Sequence, residues 1–282
     1  MKVLRTVAEV RAWRARAERV GLVPTMGALH AGHLSLVERS REEADATIVS
    51  IFVNPTQFGP KEDFTKYPRR EAADLALLER ADATAAFLPS VEEMYPPGDT
   101  PPVDPGPIAA PLEGAARPGH FIGVATVVAK LFDIVRPDVA FFGQKDFQQL
   151  RVLQTMARDR FPGIRVVGCP IVRESDGLAM SSRNAYLSES QHRDALALSR
   201  GLFRARELWT EGVRHADRLR NAVLRYTDGP GISMEYVSAA DPITLAELHG
   251  SATRVLVSLA ARVGKARLID NVLLGMDVSE LS

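Results

Sequence analysis

The chain lacks most of the features that mark secreted, membrane and nucleic-acid-binding proteins. It has one cysteine in 282 residues, which excludes an internal disulfide framework and fits a reducing compartment. Its 35 basic side chains balance 35 acidic ones, so no basic excess favours nucleic acid. No apolar run approaches the roughly 20 residues that span a bilayer, and the first residues show no signal-peptide pattern. We therefore expect a cytoplasmic protein with no nucleic-acid or membrane partner.

The remaining composition is that of an ordinary globular protein. Apolar residues make up 46% of the chain and charged residues 25%, and the length allows one large domain or two modest ones. The single cysteine, Cys169, lies inside the apolar run 166–172. We expect it to be a buried strand residue and not a nucleophile.

Strand-like and helix-like patterns alternate along residues 1–172. After an apolar run at 20–24, the predicted strands are 46–53, 85–88, 139–142 and 164–172, and the predicted helices are 31–44, 69–81 and 122–135. Residues 3–20 have mixed helical spacing and predict a helix on the sheet surface. Continuous β-branched runs are typical of parallel strands covered on both faces. The alternation predicts an α/β fold, a Rossmann-like doubly wound parallel sheet with right-handed crossovers.

The pattern changes after residue 172. Helical patterns at 191–211 and 215–226 precede strand patterns at 232–239, 254–261 and 265–274. Helices followed by strands predict a second, smaller α+β domain over 173–282. Within the first domain, the proline-rich stretch 89–111 predicts an irregular loop that serves as a lid, a binding loop or a linker.

The stretch most informative about function runs from Val23 to Val37. It predicts a strand, a short turn with Gly27 and Gly32, and a helix whose first turn carries His30 and His33. At a helix start the first main-chain N–H groups lack partners and the dipole is positive, so an anion binds favourably. Histidines three residues apart point to one side and can donate to phosphate oxygens. Taken alone, they could also be half of a metal site or two surface residues.

Two more loops follow predicted strands. Asn54 and Gln57 come after the strand at 46–53, and should lie beside the histidine turn because ligands of open α/β sheets bind at the carboxyl ends of strands. Lys145 follows the strand at 139–142, where its ammonium group could reach a phosphate. Asp146 is placed to cap the next helix, and Gln149 should lie on the same side of its first turn.

Two basic segments leave alternatives open. Arg117 is either a solvated loop charge or an anion contact above the site, and His120 is either a helix cap or part of the same contact. Further on, Met180-Ser181-Ser182-Arg183 forms a polar loop. Paired with His-x-Gly-His upstream, it resembles the second signature of the adenylyl-transferring superfamily that contains class I aminoacyl-tRNA synthetases and small nucleotidyltransferases.

Over nearly its whole length the chain resembles the pantothenate synthetase (pantoate–β-alanine ligase) family. Five blocks in the right order carry the resemblance: Pro24 to His33, Phe52 to Phe58, Arg117 to Phe121, Phe142 to Gln149, and Arg173 to Asn184. Many relatives have Glu at the positions of Gln144 and Ala31. Neither difference removes a charge that the expected chemistry needs.

The resemblance implies an ATP-dependent ligase that forms an amide in two steps. The pantoate carboxylate attacks the α-phosphorus of ATP and gives pantoyl adenylate, and the amine of β-alanine then displaces AMP. His30, His33, Lys145 and Arg183 would be the catalytic residues. The two histidines hold the phosphates, with His33 as proton donor, while Lys145 and Arg183 neutralise phosphate charge.

The resemblance also implies a set of binding residues. ATP would contact Met26, Gly27, Ala28, Leu29, His30, Ala31, Gly32, His33, Gly143, Gln144, Lys145, Asp146, Val172, Met180, Ser181, Ser182 and Arg183. Pantoate would contact Gln57 and Gln149, with Gln57 also facing β-alanine. Mg²⁺ is expected with ATP, but its ligands are unknown. Asp74 is a weak candidate that its helical pattern places on the helix surface. Relatives are typically homodimers.

Other functions of the same superfamily stay open from sequence. The chain could be another small-molecule adenylyltransferase that passes AMP onto a phosphate. A small aminoacyl-tRNA synthetase fragment is disfavoured by the neutral net charge and by the absence of an obvious anticodon-binding domain. A nucleotide-sensing module that binds ATP without releasing pyrophosphate is the non-enzyme alternative.

Overall fold

The computed structural model describes residues 1–60, 62–98 and 101–281. This part of the chain divides into two compact units, Met1–Gly143 with Gln149–Cys169, and Gln144–Gln148 with Pro170–Leu281. The division differs in detail from a boundary at residue 172. The second unit begins at Pro170, and it takes in the five residues Gln144–Gln148 from the middle of the chain.

The first unit is a six-stranded parallel sheet with helices between its strands. The strands are β1 (Lys2–Leu4), β2 (Val20–Thr25), β3 (Ala46–Ile51), β4 (Ala85–Phe87), β5 (Val139–Gly143) and β6 (Arg165–Cys169). The helices are α1 (Val7–Arg14), α2 (Ala31–Glu43), α3 (Glu71–Arg80), α4 (Val91–Met94), α5 (Glu113–Ala116), α6 (His120–Val135) and α7 (Phe147–Arg160), of which α7 begins in the second unit. The strand order is β1-β4-β3-β2-β5-β6, and every neighbouring pair is parallel.

The central strands are buried on both faces, as their continuous apolar sequences predict. In β2, Val20, Leu22 and Val23 have no exposed surface, and successive side chains of a strand point to opposite faces. One apolar cluster joins β2, β3, β4 and β5 to α2 and α3. Cys169 is buried at the end of β6, and this burial raises its pKa to about 11. The thiol is therefore a packing group, as expected.

The second unit is a three-stranded antiparallel sheet covered by two helices. Its helices are α8 (Glu189–Thr210) and α9 (Ala216–Thr227), and its strands are β7 (Ile232–Ala240), β8 (Val255–Val263) and β9 (Ala266–Leu274). The strand order is β7-β8-β9. One apolar core joins the two helices to the sheet. The predicted fold class, a parallel α/β sheet with a smaller α+β region, is confirmed.

Two local predictions were wrong. Residues 3–20 are not one helix, because Lys2–Leu4 forms the edge strand β1 beside β4 before the short α1 begins. The stretch 89–111 is not wholly irregular, because its described residues include α4 and a 3₁₀ helix at Pro107–Ala109. Val103 is buried there, and its N–H donates to Thr126 Oγ1 at 2.9 Å. No helix among the described residues combines the length and apolar character needed to cross a bilayer.

Candidate active site

The loops of interest in the first unit follow neighbouring strands of the sheet. β2 lies between β3 and β5 in the strand order, so the chain winds outward from it in both directions. Ligands of open α/β sheets bind at such a switch point, at the carboxyl ends of the strands. The histidine turn follows β2 there, and Asn54 and Gln57 follow β3.

The turn after β2 has an unusual backbone. Gly27 has φ of 83° and Ala28 has φ of 50°, so two consecutive residues lie in the left-handed region. This conformation is costly for a residue with a Cβ atom. A Cβ at Gly27 would lie only 3.0 Å from Asp74 Oδ2 and 3.1 Å from Ile51 Cγ2. A side chain at this position would therefore be strained by its backbone conformation, and it would also press on Asp74 and Ile51.

A buried carboxylate holds this turn in place. Asp74 of α3 accepts hydrogen bonds from the N–H of Ala28 at 2.9 Å and of Leu29 at 2.8 Å, one on each oxygen. Only 2% of Asp74 is exposed, so its predicted place on the helix surface was wrong. The helical pattern of α3 could not reveal this role, because the carboxylate's partners are main-chain groups 45 and 46 residues away.

The two histidines lie side by side at the start of α2. Their ring centroids are 4.0 Å apart, as the i, i+3 spacing predicts. His33 Nδ1 accepts a hydrogen bond from the main-chain N–H of His30 at 3.3 Å. An accepting Nδ1 leaves the proton of the neutral ring on Nε2. His33 Nε2 is therefore a donor at a helix N-terminus, where an anion is favoured.

Gln57 lies beside the histidine turn, as expected. Its Nε2 donates to Met26 Sδ at 3.2 Å, and its Oε1 accepts from Asn54 Nδ2 at 3.1 Å. Asn54 is 1% exposed; it also donates to the carbonyl of Gly123 and accepts from the hydroxyl of Tyr95. These contacts fix the orientation of Asn54, which holds the Gln57 side chain against the turn.

Arg117 and His120 also serve the Gln57 loop. Arg117 donates to both carboxylate oxygens of Glu62, at 2.6 and 2.8 Å, so the anion it contacts belongs to the chain itself. His120 Nδ1 bonds the carbonyl of Gln57 at 2.9 Å, and its Nε2 faces Arg117 Nη1 at 3.0 Å. A carbonyl only accepts and a guanidinium only donates, so His120 is neutral with its proton on Nδ1. Neither a solvated Arg117 nor a capping His120 was the right interpretation.

The ionisation of this cluster follows from its contacts. Burial and the Arg117 charge lower the pKa of His120 to about 4. Burial opposes ionisation of Glu62, but the hydrogen bonds and charge of Arg117 outweigh it and lower the pKa of Glu62 to about 2. Glu62 is therefore charged and His120 neutral near pH 7.

In the second unit, the Met-Ser-Ser-Arg segment is one arm of a short hairpin. The N–H of Met180 donates to the carbonyl of Val172 at 3.0 Å, which brings these two expected ATP contacts together. Ser181 caps a 3₁₀ helix at Ser182–Tyr186, and its Oγ accepts from the N–H of Arg183 at 3.2 Å. Ser182 and Arg183 are half-buried.

The remaining expected site residues are divided between the two compact units. Lys145 and Asp146 are half-buried in a 3₁₀ helix at Gln144–Asp146, which belongs to the second unit. Gln149 is half-buried in the first turn of α7 and belongs to the first unit. The expected site residues of the first unit are Met26, Gly27, Ala28, Leu29, His30, Ala31, Gly32, His33, Gln57, Gly143 and Gln149. Those of the second are Gln144, Lys145, Asp146, Val172, Met180, Ser181, Ser182 and Arg183.

Replacing Asp74 by Asn should destabilise the fold. The amide can accept from only one of the two N–H groups at Ala28 and Leu29, and its NH₂ would face the other. A buried donor without a partner costs about 1–3 kcal/mol. Urea unfolding should show that loss. Glu71→Gln is the matched control, since it removes an exposed carboxylate of the same helix and should cost under about 1 kcal/mol. Equal losses in the two variants would contradict the bonds described.

His120 should make stability fall as the pH is lowered from about 6.5 to 4. Its folded pKa of about 4 lies below the ordinary value of 6.5, so in this window the unfolded chain binds a proton that the folded chain does not. The free energy of unfolding should then change by up to about 1.4 kcal/mol per pH unit. His120→Asn should flatten that slope in urea unfolding between pH 4.5 and 6.5. A variant with the wild-type slope would assign it to another group.

Known proteins similar to this chain show its family. The family model for pantoate-beta-alanine ligase matches residues 2–273. A pantothenate synthetase of Roseiflexus castenholzii is 55% identical over 97% of this chain and 99% of its own. The crystal structure of pantothenate synthetase from Thermus thermophilus matches with a TM-score of 0.91 and 47% identity, covering 96% of this chain and 99% of that one.

A third relative carries ligands. The pantoate-beta-alanine ligase of Francisella tularensis, whose crystal structure is described as complexed with beta-gamma ATP and beta-alanine, matches with a TM-score of 0.80 and 33% identity. The match covers 99% of this chain and all of that one. With a family model over nearly the whole length and relatives at about half identity, the chain belongs to the pantoate–β-alanine ligase family.

Proposed function

We propose that the chain condenses pantoate with β-alanine to form pantothenate at the expense of ATP. The family supports this activity, and the Francisella relative was crystallised with an ATP ligand and β-alanine. The observation that carries the proposal is the helix N-terminus at the switch point. There His33 offers Nε2–H, and a buried carboxylate holds the preceding turn.

The first step joins two anions, and the residues are suited to that difficulty. A pantoate carboxylate oxygen attacks the α-phosphorus of ATP, and the bond to the β-phosphate oxygen breaks to release pyrophosphate. Negative charge grows on the phosphate oxygens as the bond breaks, so preorganised donors lower the barrier. We assign this role to His30, His33, Lys145 and Arg183, with Ser181 and Ser182 as further donors and His33 Nε2 as proton donor.

The second step forms the amide. The β-alanine amine attacks the carbonyl carbon of pantoyl adenylate, the C–O bond to AMP breaks, and AMP leaves. We assign the orientation of pantoate to Gln57 and Gln149. Neutral amides can bind hydroxyl groups without adding a counter-charge that would hold back the attacking carboxylate. Met26 and Gly143 of the first unit, and Val172 and Met180 of the second, would bind adenosine through their main chain.

We assign Mg²⁺ to the phosphates of ATP and not to a protein cage. Among residues 1–60, 62–98 and 101–281, one group of three metal-type ligands lies close together, Glu174, Asp176 and His192. In that group Asp176 Oδ2 and His192 Nε2 already bond each other at 2.7 Å. Mg²⁺ commonly binds through substrate phosphates and water. We further propose a cytoplasmic homodimer, on the family resemblance and on the lone, buried Cys169.

One assay separates this activity from another adenylyl transfer. The purified chain should release AMP from ATP only when both pantoate and β-alanine are present, and pyrophosphate should appear with pantoate alone. An adenylyltransferase acting on a phosphate substrate would give neither dependence. A nucleotide sensor would bind ATP without releasing pyrophosphate. Release of AMP when pantoate or β-alanine is left out would contradict the proposal.

Substitutions at His33 and Lys145 should separate chemistry from folding. His33→Asn keeps an oxygen that can accept from the His30 N–H but removes the Nε2 donor, so its stability should stay close to wild type. His33→Asn and Lys145→Ala should each slow pantoate-dependent ATP–pyrophosphate exchange about a hundredfold or more. Lys265→Ala, at an exposed turn, is the control and should exchange normally. Near-normal exchange in either site variant would refute its role.

A further inference from the structure

Within the second unit, one buried side chain holds the main chain at Lys145. Asn271 of β9 donates from Nδ2 to the carbonyls of Gln144 and Lys145, each at 3.0 Å. Its Oδ1 accepts from Gln144 Nε2 at 3.2 Å. Two carbonyls can only accept, so they fix which end of the amide is NH₂. Asn271 is 3% exposed, and these bonds occupy both of its NH₂ donors and its oxygen.

We infer that Asn271 is a positioning residue for Lys145, and that it acts through the main chain of the 3₁₀ helix at Gln144–Asp146. The inference rests on the proposed role of Lys145 at the phosphates. The anchoring by Asn271 explains why Gln144–Asp146, which lie between β5 and α7 in the chain, belong to the second unit. The partners are 126 and 127 residues apart in the chain, so the C-terminal strand supplies the anchor.

The residues around Asn271 make its amide a firm support. The preceding residue, Asp270, is 4% exposed and bonds Arg173 through both carboxylate oxygens, at 2.7 and 2.9 Å. Asp270 Oδ1 also accepts the N–H of Asn271 at 2.7 Å. The central strand β8 pairs with β9 along its whole length. A side chain on such a strand has little freedom to move. It can therefore hold the carbonyls that it bonds within a few tenths of an ångström.

Ser258 provides a matched control. It faces Asn271 across the sheet, as its pair on β8, and it is also buried, at 7% exposed. Its Oγ has no hydrogen-bond partner in the described part of the chain. Ser258→Ala therefore changes a buried polar residue beside Asn271 without removing a hydrogen bond of the Lys145 segment.

The test measures catalysis and the placement of Lys145 separately. Asn271→Ala removes the anchor, and Asn271→Asp keeps its shape but turns an anion toward two carbonyl oxygens. Displacement of a catalytic group by about 1 Å can cost a hundredfold. We expect kcat for pantoate-dependent ATP–pyrophosphate exchange to fall about 10- to 100-fold in both variants. The KM for pantoate should stay unchanged, because its proposed ligands lie outside the second unit, and Ser258→Ala should behave as wild type.

Acetylation of Lys145 gives a readout besides activity. In the wild type, saturating ATP should protect Lys145 from acetic anhydride, as measured by peptide mass spectrometry, and the Asn271 variants should lose that protection. In a Lys145→Ala background, Asn271→Ala should slow exchange no further, since residues acting as a unit are not additive.

The outcomes distinguish the inference from the proposed function. A wild-type kcat in both Asn271 variants would overturn the inference. So would a loss of kcat that only matches the unfolded fraction of each variant, if ATP still protects Lys145 from acetylation. Full exchange by Lys145→Ala, with no protection by ATP in the wild type, would instead overturn the assigned role of Lys145. Thermal unfolding of each variant supplies the folded fraction for this comparison.

Discussion

Hydrogen bonds between buried or half-buried side chains and the main chain of loops are the constraint on which the candidate site depends. The loops after β2, β3 and β5 leave the sheet and lose the ladder that pairs strand backbones. Each is held by a side chain from a distant part of the chain: Asp74 for the histidine turn, His120 for Gln57, and Asn271 for Lys145. Chemistry that needs donors placed within tenths of an ångström requires such anchors.

The chemistry of each anchor follows from the group that its loop turns inward. The turn at Ala28 and Leu29 presents two N–H groups, and a carboxylate offers one oxygen to each. The loops at Gln57 and Lys145 present carbonyls, which need donors. They receive an imidazole Nδ1–H and an amide NH₂. Exchanging Asp74 and Asn271 would leave like groups facing each other at both places, although the two side chains have nearly the same shape.

Much of the fold, and the histidine pair of the candidate site, could be predicted from the sequence because their signals are local. The apolar runs of the parallel strands, the helices of the second unit and the spacing of His30 and His33 are patterns over a few residues. The anchors have no local signal. Asp74 is one acidic residue in an ordinary helical pattern, and Asn271 is one polar residue in a strand. Their partners are main-chain atoms, which look the same at every position of a sequence.

The proposed role of Lys145 accounts for the neutrality of the anchor beside it. A carboxylate at position 271 would lower the positive potential that this proposed role requires at the ammonium group. Its neighbour Asp270 is such a carboxylate, but it is matched by two bonds from Arg173. Burial raises the pKa of Asp270, and the charges of Arg173 and Lys145 oppose that rise. Because Arg173 makes the direct contacts, the buried negative charge is balanced without requiring the ammonium group of Lys145.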